Sequence, residues 1–245
     1  MWTTYRVRWE FVTQLCASVP GDPKMVEKWL GARAPSVRPP HSKSLDEIGA
    51  EVIASQMEPE EEQEYTTLVF QRVNGVLAVR MATIKAHLKD CARQLQNYMQ
   101  GYVKGDATLR VKVANGVYWP PADKDIVTLN GTPFTPILTR DGKPVTEASG
   151  VRQKAIHVMT PTGPRSAIKT FEVVENAVIE FPLSILTAPA RQVKRGKEIL
   201  SVPGRPLIHD DDLKQLFLYG GVHGYGGERS EDGGRYAATH EREDA

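Results

Sequence analysis

Cysteine is almost missing from this sequence: Cys16 and Cys91 are the only two in 245 residues. Two isolated thiols with no paired spacing and no Cys/His cluster leave no support for a disulfide framework or a zinc site, and they point to buried free thiols in a reducing compartment. Long apolar runs are missing as well. No eighteen-residue apolar stretch occurs, and from Trp2 onward the N-terminus alternates polar and apolar residues instead of forming the apolar block of a signal peptide. A cytoplasmic protein without membrane contact is expected. Charge of one sign is also lacking, since 31 Lys and Arg stand against 30 Asp and Glu for a formal net charge of +1. Such a chain is not a general coating for a polyanion, so any nucleic-acid site must be a local patch. There is no Gly-x-Ser-x-Gly, no P-loop, no His-Glu-x-x-His and no dinucleotide fingerprint. The expectation is accordingly no cofactor and no metal.

What is there suffices for a core, because 40% of the residues are apolar. Tyr5, Val7, Trp9 and Phe11 alternate with Arg6, Arg8 and Glu10, the period of a half-buried opening strand. Asp22-Pro23 reads as a helix cap with a first-turn proline, and Ser44-Leu45-Asp46-Glu47 as a capping box opening a second helix after a proline-rich connector. Residues 66–73 and 76–81 flank Asn74-Gly75, which supplies the two positive φ angles of a tight hairpin. From Thr83 the period changes to 3.6, with Ile84, Leu88, Cys91, Ala92, Leu95 and Met99 on one stripe and Lys85, Lys89 and Arg93 on a positive ridge. The ridge reads either as a solvated face or as a contact for an anion.

Residues 109–119, 125–130, 155–160 and 168–186 read as strands, the last broken near Asn176. Residues 132–150 read as a polar projecting loop, and 191–197 as a loop with four positive charges including Lys194 and Arg195. His209-Asp210-Asp211-Asp212 could tempt a metal assignment, but three acids ahead of a short helix over 210–218 more simply complement its dipole. The order of elements suits an α+β fold: one elaborated domain over 1–245 with a ferredoxin-like (RRM-like) antiparallel sheet, helices on one face, and an inserted loop and β-rich region at about 113–167.

Seven glycines fall within residues 220–234. Glycine is kept where backbone needs positive φ or must lie against another molecule, and a flexible loop is the plainer alternative. Here the run is accompanied by Arg229, Arg235, Tyr225 and Tyr236, parts suited to an anionic ligand with planar bases.

Three segments together resemble the RAMP superfamily, the ferredoxin-fold RNA-binding proteins of CRISPR effector complexes and their relatives. They are the opening strand with its Gly/Pro loop, the passage Val79-Arg80-Met81-Ala82-Thr83-Ile84-Lys85-Ala86-His87-Leu88-Lys89, and the late loop Gly224-Tyr225-Gly226-Gly227-Glu228-Arg229-Ser230 through Arg235. Glu231-Asp232-Gly233-Gly234 departs from the family's pattern by placing acids where an aromatic is expected. The resemblance implies an RNA-binding, backbone-type subunit gripping guide RNA by sugar-phosphate contacts. Its site would comprise Lys85, Lys89, Arg93, Lys194, Arg195, Gly224, Tyr225, Gly226, Gly227, Arg229, Ser230 and Arg235, and its partners would be other effector subunits arranged side by side in a homo- or hetero-oligomer. Two other readings remain open. One is a metal-independent endoribonuclease that processes guide RNA, with His41 or His223 as the general acid or base. The other is a structural or assembly protein of a mobile element that binds no nucleic acid.

Overall fold

The period-two pattern at the N-terminus becomes strand β1 (Trp2–Phe11) of the computed structural model, which describes residues 2–20, 66–99, 108–120, 123–160, 163–195, 198–202 and 204–243. The next strands are β2 (Leu15–Cys16), β3 (Val19–Pro20), β4 (Thr66–Val69), β5 (Gln71–Val73), β6 (Val76–Arg80), β7 (Val117–Tyr118), β8 (Val127–Leu129) and β9 (Thr132–Leu138). They are followed by β10 (Gly150–Thr160), β11 (Gly163–Val174), β12 (Val178–Ala188), β13 (Arg191–Arg195), β14 (Glu198–Val202), β15 (Arg205–Pro206) and β16 (Tyr236–Glu243). Among the described residues the α-helices are α1 (Met81–Met99), α2 (Leu109–Gly116) and α3 (Asp210–His223). None of them is long and apolar enough to cross a membrane. The fold is α+β with large antiparallel sheets. The two helix readings over 22–31 and 44–53 lie outside the described residues.

The chain divides into two compact units. Met1–Val19, Phe70–Val151 and Glu172–Ala245 form the first, and Pro20–Val69 with Arg152–Phe171 the second. In the second, β10 and β11 are neighbours, and β4 runs parallel to β11 with Thr66 opposite Lys169.

The first unit is built on a sheet of order β16-β1-β12-β9-β6-β5. β1 is antiparallel to both neighbours, with Val7 opposite Phe181 of β12 and His240 of β16. Tyr5, Val7, Trp9 and Phe11 are fully buried on one face, and burial of each such side chain contributes on the order of 2 kcal/mol. Trp9 meets His87 of α1 (ring centroids 5.6 Å) and Phe217 of α3 (6.4 Å), which places both helices on that face. The opposite face is polar. Arg6 pairs with Asp123 (3.1 Å), Glu243 (2.9 Å) and Asp125, while Arg8 pairs with Glu10 (2.7 Å) and Glu180. Burial is the largest influence and would raise the Asp123 carboxyl, but the Arg6 hydrogen bond, the Asp125 N–H and the charges of Arg6 and Lys124 together hold the group below the usual carboxylate range.

The Asn74-Gly75 turn forms with φ of 53° and 79°, but the first arm of its hairpin is only β5, since β4 pairs with β11 in another sheet. Several other readings are corrected. Residues 109–116 are helical, because Leu109, Val113 and Gly116 recur at intervals of four and three and bury against α1, while the β-branched Val111 and Val113 suggested a strand. The polar loop at 132–150 contains β9, a strand of the main sheet. Pro133 and Pro136 disguised it, yet Phe134, Thr135 and Ile137 are buried and Pro136 lies opposite Ala78. Within the stretch expected to be a basic loop, Arg191–Arg195 is strand β13, paired antiparallel with β14 so that Lys194 lies opposite Ile199 and Arg195 opposite Glu198 in register. The last helix runs past Leu218 to His223, through Gly220 and Gly221.

Candidate functional site

Glycines at the end of α3 set the geometry of the late loop. A Cβ on Gly220 would lie 2.3 Å from the Tyr236 hydroxyl, and one on Gly221 would lie 2.2 Å from the Tyr236 carbonyl oxygen. The helix can therefore press directly on the start of β16. Gly224 ends it at φ +80°, its N–H donating to the Gly220 carbonyl at 2.9 Å. Gly226 and Gly227 then pass over the Cys16 and Ala17 carbonyls, where a Cβ would come within 2.6 and 2.5 Å. At Gly234 the clearance from the Tyr225 carbonyl would be only 1.7 Å. The amides of Gly224, Gly227 and Gly234 all donate to backbone carbonyls of this chain. This corrects the expectation for Gly224 and Gly227, whose amides are used within the chain, while Gly226 allows close packing over the Cys16 carbonyl.

Tyr225 needs the same correction. It is buried, its hydroxyl lies 2.5 Å from Thr83 Oγ1, and Thr83 in turn donates to the Arg80 carbonyl at 2.7 Å. Burial pushes the phenol far above its ordinary range. Tyr236 is buried too, stacked on Trp9 with centroids 4.3 Å apart. Neither ring is offered as an outer stacking surface. Behind them His87 Nε2 and the Tyr236 hydroxyl are hydrogen-bonded at 2.9 Å, and Cys91 Sγ lies 3.6 Å from the same nitrogen. Burial, and then the charge of Arg229, lower the His87 imidazole to about 3, while burial and then Asp90 push the Cys91 thiol up to about 12. Both side chains are thus neutral core groups.

In front of this core lies an open depression of ≈ 510 Å³ lined by His223, Glu228, Arg229 and Ser230. The His223 ring stacks with Tyr219 (5.6 Å) on the same helix and with His87 (6.2 Å) of α1. Arg229 Nη1 donates to His223 Nε2 at 3.2 Å. Asp90 of α1 anchors the group, with Oδ2 at 3.5 Å from His223 Nε2 and 3.8 Å from Arg229 Nη1, and Oδ1 accepting from Arg93 Nη2 at 3.0 Å. Arg93 on the helix and Arg229 on the loop, 136 positions apart in the chain (229 − 93), therefore share one carboxylate. Sequence reasoning passed over Asp90, because an acid three residues from an arginine on a helix reads as a solvated pair.

The positive ridge of α1 divides. Lys85 is half-buried, its Nζ donating to the Val117 carbonyl at 2.7 Å and lying 4.8 Å from the centre of the Tyr118 ring. Burial and then Lys89 lower its ammonium from the ordinary lysine range. Lys89 is half-buried one turn further on, and of the three only Arg93 pairs with Asp90, beside the depression. Arg235 is exposed and pairs with Asp232, while its backbone N–H donates to Thr13 Oγ1 at 2.8 Å. Lys194 and Arg195 belong to the separate β13–β14 hairpin. His41 and Asp22 lie outside the described residues. At the other end of α3, the Asp210 carboxylate accepts from the Tyr5 hydroxyl at 2.5 Å, so this acid of its first turn has a local structural role.

The grouping of two arginines, an imidazole and a hydroxyl around an open depression can hold an anion and can position a proton donor or acceptor beside it. No protein-family model matches the chain, and no curated protein does.

Proposed function

We propose that this chain is an RNA-binding, backbone-type subunit of a CRISPR-like ribonucleoprotein effector, which grips guide RNA through sugar-phosphate contacts. The observation that carries the reading is the meeting of Arg93 and Arg229 at Asp90, beside the depression that His223 and Ser230 line. It joins α1, the helix that the second of the segments resembling the RAMP superfamily opens, to the late loop. The strand order supports it as well. Taken along the chain, β1, α1, β9, β12, α3 and β16 give a sheet in which the last strand flanks the first, then the third, then the second, the order of a ferredoxin-like core.

Arginine and hydroxyl donors to phosphate carry no base information, which suits a subunit that repeats along a guide and assembles beside other effector subunits. Asp90 offsets the two arginines, so affinity depends on Arg93 and Arg229 turning from its carboxylate to the phosphates. The test is the anisotropy of a labelled single-stranded oligoribonucleotide across a salt series. Binding should weaken steeply with salt, and Arg93→Ala and Arg229→Ala should each lower the log–log slope by about 0.7. A salt-independent affinity, or slopes untouched by both substitutions, would contradict the proposal.

One observation favours a second reading, a metal-independent endoribonuclease. The His223 imidazole lines the depression beside Arg229 and Ser230, within reach of any 2′-hydroxyl bound there. Cleavage in the presence of a chelator, abolished in His223→Ala while RNA affinity survives, would establish it. Intact RNA after prolonged incubation with the wild-type chain would remove it.

A further inference from the structure

Exposed aromatic rings are expensive to keep in water, and the first unit keeps two together. Trp2 is 48% exposed and Tyr118 47%, yet their ring centroids are 4.9 Å apart in an edge-to-face pair. Strand pairing holds both from beneath, because Trp2 lies opposite Leu186 of β12 and Tyr118 lies opposite Ser184 of the same strand. Alternation then puts them on the face of the sheet opposite Trp9. Their surroundings there are not apolar. The Thr4 and Ser184 hydroxyls meet at 3.1 Å, and the Lys85 ammonium stands 4.8 Å from the centre of the Tyr118 ring. One of the three Lys85 donors goes to the Val117 carbonyl at 2.7 Å, leaving two for a ligand.

We propose that Trp2, Tyr118 and Lys85 form a stacking site for an unpaired nucleobase of single-stranded RNA, with the ammonium placed for the adjoining phosphate. The inference rests on the RNA-binding reading and adds to it a second, base-dependent contact separate from the arginines at Asp90. The chemistry selects this ligand. Rigid aromatic faces bind any base through its π surface, and a neighbouring cation matches the phosphodiester. It also gives Lys85 a role other than membership of one continuous ridge on α1.

Two probes of equal length test the site on the full chain by anisotropy: an oligoadenylate, and an abasic ribose-phosphate strand with the same charge. The wild-type chain should prefer the base-bearing strand by about tenfold. Trp2→Ala/Tyr118→Ala should erase that preference and keep the abasic affinity, and Trp2→Phe should retain most of it. Both residues are exposed, so melting temperatures should stay within a few degrees of wild type; Trp2→Leu/Tyr118→Leu is the second variant should the alanine pair fold poorly. An undiminished preference in the double variants would overturn the stacking site while leaving RNA binding intact. Failure of the wild-type chain to bind either strand would overturn both. A change in sedimentation with no change in base preference would mark the patch as a protein contact and overturn the site.

Discussion

At the scale of single residues, the strongest consequences come from groups held neutral inside the first unit. His87 is 5% exposed and its imidazole is lowered from 6.5 to about 3 by burial and by the nearby charges of Arg229 and His223. Between those two values the unfolded chain binds a proton that the folded chain refuses. The His87 contribution is therefore fully favourable above pH 6.5 and is lost progressively as the pH falls toward 3, at up to about 1.4 kcal/mol per pH unit. Urea unfolding at several pH values should show this slope in the wild type and its loss in His87→Gln; equal slopes would show that the imidazole titrates normally. Cys91 makes a companion case. Its thiol is buried and raised to about 12, and Cys16 is buried also, so a thiol reagent at neutral pH should label neither until denaturant is added. Rapid labelling of native protein would refute that packing. Both cysteines were legible in the sequence as buried free thiols. The partnership of His87, Cys91 and Tyr236 was not, because it depends on residues up to 149 apart in the chain.

At the scale of elements, glycine has two different jobs, and mutation should separate them. Gly75 sits at φ +79° in an open turn with nothing within 4 Å of an added Cβ, so Gly75→Ala should cost only the backbone strain, about 1 kcal/mol. At Gly234 a Cβ would meet the Tyr225 carbonyl oxygen at 1.7 Å, and at φ +71° as well, so Gly234→Ala should cost at least about 3 kcal/mol. Denaturant midpoints give both values, and comparable losses at the two positions would undo the distinction. Elements whose own pattern fixes them were legible: β1 from its alternation, α1 from its 3.6-residue stripe, and the hairpin from Asn74-Gly75. Elements fixed by their surroundings were not. α2 owes its helix to burial against α1 in spite of its valines, and β9 is a sheet strand despite two prolines. Glycine content announced that the late loop was special. Only the fold shows that its glycines face carbonyls of the same chain.

At the scale of the whole molecule, a nearly neutral chain gathers the chemistry proposed to face RNA into small patches. The Arg93–Asp90–Arg229 group draws on α1 and the late loop, and the Trp2–Tyr118 pair lies on the polar face of the sheet. The sequence resemblance pointed to Arg93, Arg229, Ser230 and His223, four residues that the fold brings to one depression or to the carboxylate beside it. It also pointed to Tyr225 and to the loop glycines, which the fold uses internally. Charge spacing along a helix does not reveal which cation a distant loop will reach, and so Lys85 and Arg93 could not be told apart beforehand. The measurement that bears most directly on the central claim is made on protein purified from its native operon context at low salt. Its absorbance ratio at 260 and 280 nm is read, and whatever nucleic acid accompanies it is extracted and sequenced. The account predicts a discrete RNA of uniform length that disappears from folded Arg93→Glu/Arg229→Glu protein. Folded wild-type protein free of nucleic acid would contradict it and favour a structural protein without RNA.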